Sequence, residues 1–94
     1  MQFDEFVQST QNEAPPAGIP VYVKALWLDA KGDWDKAHGS IDSLSDKNSS
    51  WVHAYLHRKE GDIWNADYWY AKAGKKRPAA SLDEEWEAIT KALL

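Results

Sequence analysis

WVHAYLHRKEGDIWNADYWYAKAG, Trp51 to Gly74, decides how this chain is read. Two runs with helical periodicity flank Gly61-Asp62. A glycine just past a helix supplies the left-handed residue that closes it, and an aspartate caps the helix that follows. The stretch is therefore a helix, a tight turn and a second helix running back along the first. On the second helix Ile63, Ala66, Tyr70 and Ala73 share one face, while Trp64 and Tyr68 form another stripe. A helix apolar on two faces is expected to be covered on both. Gly74 ends it, and Pro78 bars continuation.

The same chemistry recurs on either side. SDKNSS, before the stretch, is polar and turn-rich and is expected to be a surface loop. Before it, WDKAHGSIDSL places Trp34, Ala37, His38, Ile41 and Leu44 on one helical face, with Asp33 as its cap and Gly39 as a weak point. VYVKALWLDAK starts after Pro20, a residue suited to a first turn, and runs to Gly32. NEAPPAGIP forbids a continuous helix, so residues 3–11, with Phe3, Phe6 and Val7 on one side, form a separate short helix. After Pro78, Ser81 and Glu84 make an S-x-x-E capping box, and Leu82, Trp86, Ile89 and Leu93 make one stripe. Glu85, Glu87 and Lys91 are left for water, and this helix is expected to lie as a lid on the one before it. The organisation is one all-α domain: an N-terminal helix and linker (1–19), a first hairpin (20–46), a second (47–78) and a capping helix (79–94).

Composition limits the function. The chain has 94 residues, no cysteine, three histidines, six tryptophans and a net charge of −4. The interspersed, slightly acidic charge argues against nucleic acid, which requires a basic stripe. No run reaches the length of a membrane span. Lack of cysteine fits a reducing, cytoplasmic setting. The basic cluster Lys75-Lys76-Arg77 falls at a helix end, where cations complement the dipole.

The two hairpins echo each other. Ala25, Gly32, Asp33 and Ala37 correspond to Ala54, Gly61, Asp62 and Ala66 at one constant offset. Small residues let helices approach, glycine turns the chain, and aspartate caps. On these residues, together with Tyr70, Ala73 and Pro78, residues 48–78 resemble the tetratricopeptide repeat, and residues 20–44 resemble it in part. The whole string is also similar to small bacterial proteins, which implies no function. The resemblance implies stacked antiparallel hairpins with a concave face lined by first helices.

Carried over by position, that face would hold Tyr22, Leu26, Asp29, Asn48, Trp51, Tyr55 and Arg58. Trp51, Tyr55 and Arg58 share a stripe, and Trp, Tyr and Arg are the types enriched at binding hot spots. The leading expectation is a non-enzymatic module that binds a protein or peptide segment through Trp51, Tyr55, Arg58, Tyr22 and Asp29, with no catalytic residue and no cofactor. The bland alternative is that the N-terminal helix or a second copy of the chain covers those aromatics. A second expectation is a divalent metal such as zinc. His53, His57 and Glu60 lie one turn apart on one face, and His38 comes from the neighbouring hairpin. Against it, half-buried histidines commonly just pack and bond to backbone or to an acid such as Asp67. The question reduces to which side of one helix is open: Trp51, Tyr55 and Arg58, or the histidines.

Overall fold

All 94 residues, Met1–Leu94, are described by the structure, a computed structural model. Their order is α1 (Phe3–Ser9), α2 (Val21–Ala30), α3 (Trp34–Ile41), α4 (Lys47–Glu60), α5 (Ile63–Lys72) and α6 (Leu82–Leu93), with no strand. The all-α fold of helical hairpins follows from the turns. Gly32 and Gly61 both adopt positive φ, 84° and 90°. Asp33 and Asp62 then cap α3 and α5, accepting from the backbone N–H of Lys36 and Asn65. Ala25, Ala37, Ala54 and Ala66 are all fully buried, which lets α2 meet α3 and α4 meet α5 closely. No helix is long and apolar enough to cross a membrane.

The core is shared by four helices. Leu26, Ile41, Val52, Tyr55, Leu56 and Ile89 bring together side chains of α2, α3, α4 and α6. Two satellite clusters flank it: Ala54, Ala66 and Tyr70 between α4 and α5, and Phe6, Val23 and Trp27 where α1 docks on α2. Phe6 stacks on Trp86, with ring centroids 6.0 Å apart. Lys31 Nζ donates to the carbonyls of Thr10 and Asn12, tying down the chain beyond α1. Two indoles anchor helices to one another by donating to main-chain carbonyls, Trp34 to Leu56 and Trp86 to Leu26.

Four expectations are corrected. SDKNSS is a loop only at its start. Asp46 accepts from Ser49 N–H and opens α4 at Lys47, burying Ser49 and Ser50 completely. Helix α6 has the expected capping box but lies against α4 and α2 rather than as a lid on α5. Glu85 does not face water: it is 3% exposed and holds Arg58 and Tyr70. On α5 only the Ala66–Tyr70–Ala73 face is covered. Ile63, Trp64 and Tyr68 are exposed, Trp64 at 78%.

Candidate functional site: the histidine cluster

Helix α4 has little free surface. Val52, His53, Ala54, Tyr55, Leu56 and His57 are all buried, so both of its competing faces turn inward. The two faces end in different surroundings.

On the first face the structure closes the expected groove. Tyr55 is 2% exposed and donates to Asp29 Oδ2, while Lys59 Nζ donates to Asp29 Oδ1 at 2.9 Å. Burial, then the Asp29 charge, push the Tyr55 phenol far above its ordinary range. Arg58 donates to Glu85 Oε1 at 2.7 Å and to the Ala80 carbonyl. Tyr22 and Trp51 are half-buried against the core, and Lys75 Nζ lies over the Trp51 ring. Tyr55, Asp29 and Arg58 are thus spent on internal bonds, and an open aromatic face is not what they form. The partners come from the same chain: Asp29 of α2, Glu85 of α6 and Lys75 beyond α5. What remains is an open cavity of about 480 Å³ whose lining includes Phe3, Asp29, Tyr55, Lys59 and Trp86.

The second face gathers every histidine of the chain. His53 and His57 stand one turn apart on α4, and α3 brings His38 against them. His38 Nε2 and His53 Nε2 are 3.0 Å apart, and one ring nitrogen from each of the three lies within 4.8 Å of the others. Aromatic rings hold the imidazoles in place. Trp34 stacks on His38 with planes 7° apart, and Trp69 stacks on His53 at a centroid distance of 3.9 Å. Trp34 shares a helical face with His38 one turn away on α3, so their stacking has a local signal, whereas Trp69 reaches His53 from α5 and has none.

Carboxylates stand behind two of the rings. Glu60 Oε1 is 2.6 Å from His57 Nδ1. A carboxylate only accepts, so Nδ1 carries the proton and Nε2 keeps its lone pair for the cluster. Asp42 Oδ2 lies 3.9 Å from His38 Nδ1. Asp67, considered as a partner for the histidines, instead accepts from Arg77. His53 is 3% exposed, and its Nδ1 has no partner. Burial first, then the neighbouring His38 and His57, lower its pKa to about 4. It is therefore neutral at pH 7, the form a metal ion requires.

A tetrahedral ion with bonds of about 2.0–2.1 Å sets its ligand nitrogens about 3.3 Å apart. The His38–His53 separation is close to that value already. Metal-bound histidines usually donate their other ring N–H to a carboxylate, which fixes tautomer and ring orientation, as Glu60 does here. Glu60 thus belongs behind His57 rather than beside it as a fourth ligand. None of the four cavities is lined by a histidine, so the cluster has no cleft that seats a large substrate. No protein family, curated protein or solved structure matches this chain.

Proposed function

We propose that this protein binds a divalent transition-metal ion, with zinc as the reference case, through His38, His53 and His57. The observation that carries the reading is the convergence itself: the chain has three histidines, and all three meet at one point from two hairpins. Imidazole nitrogen suits zinc, copper, cobalt and nickel and is a poor ligand for magnesium or calcium. A neutral His53 and a Glu60-oriented His57 add the protonation state and the ring orientation that such an ion needs.

Calorimetric titration with zinc tests the reading. One ion per chain is expected, with no heat from magnesium. The His53→Ala/His57→Ala double variant is expected to lose zinc binding while circular dichroism remains helical. A folded parent that takes up no zinc sinks the proposal, and the cluster is then a hydrogen-bonded, stacked packing motif.

A second reading, binding of a protein segment, keeps support from a different surface than Trp51 and Tyr55. Trp64 and Tyr68 form an exposed stripe on α5, their rings stacked 6.5 Å apart, with the exposed Ile63 beside Trp64 just after the Gly61-Asp62 turn. Trp and Tyr are hot-spot residues.

A further inference from the structure

We infer that the fourth coordination position of this metal centre is left open by the protein and takes a small exogenous anion. This rests on the metal reading above and adds to it the kind of ligand exchanged.

The fourth donor cannot be another histidine or a cysteine, since the chain has three histidines, all in the cluster, and no cysteine. Carboxylates remain: Glu60 and Asp42 stand behind the rings, and Asp62 groups with His57 and Glu60 but not with His38 and His53. Glu60 is engaged by His57 Nδ1, and Asp42 faces Nδ1 of His38, whereas His38 Nε2 points toward His53. A carboxylate that orients an imidazole from its outer nitrogen sits on the wrong side of the ring to reach the ion. No Asp or Glu joins the three ring nitrogens within 4.8 Å. Structural zinc sites are closed by four protein ligands, while exchangeable ones keep three and leave a position to water or substrate.

Access and size follow from the surrounding rings. Trp69 covers His53 and Trp34 covers His38, each by face-to-face stacking. The His38 side chain is 25% exposed and that of His57 11%. The approach is thus a narrow one at the His38 edge, with no cavity behind it to hold a bulky group. Three neutral imidazoles leave the ion its full double charge in the first shell. In a mostly buried place that charge attracts an anion strongly, and bound water there ionises near neutral pH. Hydroxide is the resident ligand this predicts, and azide is a probe of the same charge and comparable reach.

Cobalt(II), which takes zinc's place at nitrogen sites and has visible absorption sensitive to its ligands, gives the test. The full chain is loaded with cobalt(II), and azide is titrated into it. A saturable shift of the visible bands is expected, and the bands themselves are expected to be absent from the His53→Ala/His57→Ala variant. Cobalt bands that appear but do not respond to azide overturn the inference while leaving the metal site standing. A response that appears only after Asp42→Asn assigns the position to Asp42 and overturns it too. Absence of cobalt bands in the folded parent removes the metal reading and this inference together.

Discussion

Removing the Glu85 carboxylate is expected to be among the most damaging single changes in this chain. Glu85 is 3% exposed, accepts from Arg58 Nη1 at 2.7 Å and from the Tyr70 hydroxyl, and so joins α6 to α4 and α5. In Glu85→Ala the Arg58 guanidinium, whose side chain is 16% exposed, stays under α6 with only the Ala80 carbonyl as partner. Breaking a buried pair on one side costs about 3–5 kcal/mol, because the remaining charge is stranded. A chain of 94 residues has roughly 5–14 kcal/mol of total stability. The loss is therefore a large share of the whole, and the melting temperature should fall by roughly 12–40 °C. Urea denaturation of the parent, Glu85→Ala, Arg58→Ala and the double variant measures it directly. The double variant should cost less than the two singles summed, with a coupling of about 1–3 kcal/mol. A Glu85→Ala cost below about 1 kcal/mol, the range of an exposed ion pair, would refute the reasoning and return Arg58 to the pool of free binding residues.

Three further outcomes follow. His53 has a folded pKa lowered to about 4 against an ordinary 6.5, so below pH 6.5 the unfolded chain takes up its proton first; its contribution is complete above that pH and is lost as pH falls toward 4. Metal-free protein should lose about 1.4 kcal/mol per pH unit across this window, and His53→Gln should flatten the slope, as read by urea midpoints at stepped pH. Gly39 and Gly61 should respond to alanine with opposite signs, although a Cβ meets nothing within 4 Å at either. Gly39→Ala, inside α3, should gain about 1 kcal/mol by helix propensity, whereas Gly61→Ala, at φ 90°, should lose about 1–2 kcal/mol to left-handed strain. Asp46→Ala should cost about 1 kcal/mol by uncapping α4. Since the Ser49 backbone N–H lowers the Asp46 pKa, the parent's advantage over the variant should hold at neutral pH and vanish in acid, as seen by thermal melts at both.

The parts of this fold that were legible in the sequence are those settled by chemistry within one turn of chain. Gly32-Asp33, Gly61-Asp62 and the Ser81–Glu84 box each need only their own neighbours, and each forms as read. What was not legible depends on a partner far away. Glu85 reads as an acid left for water until Arg58 and Tyr70 arrive to hold it. Ser49 and Ser50 read as loop because their composition is polar, yet small side chains bury easily once Asp46 starts a helix ahead of them. Trp64 shows the converse: an apolar residue need not be covered. At the histidine cluster the His53–His57 pair is visible as a one-turn spacing on α4. His38 is only a candidate in the sequence, since its arrival is set by how α3 crosses α4; Trp34 is visible one turn from it on α3, but Trp69, brought in by α5, has no local signal.

Burial of α4 on both faces has a kinetic consequence. Its middle, Val52 to His57, touches α2, α3, α5 and α6 at once, so no neighbour can peel away and leave those amides open to solvent. They should exchange with deuterium only through global unfolding, and so mark the slowest class in the molecule. Helix α1 is the opposite case: seven residues on a proline-rich tether, held by Phe6 and by two bonds from Lys31. Its amides should exchange through a local opening that leaves the rest of the bundle closed. The chain is therefore built outward from a protected beam to a detachable arm, and the order of deuterium uptake should run the same way in reverse.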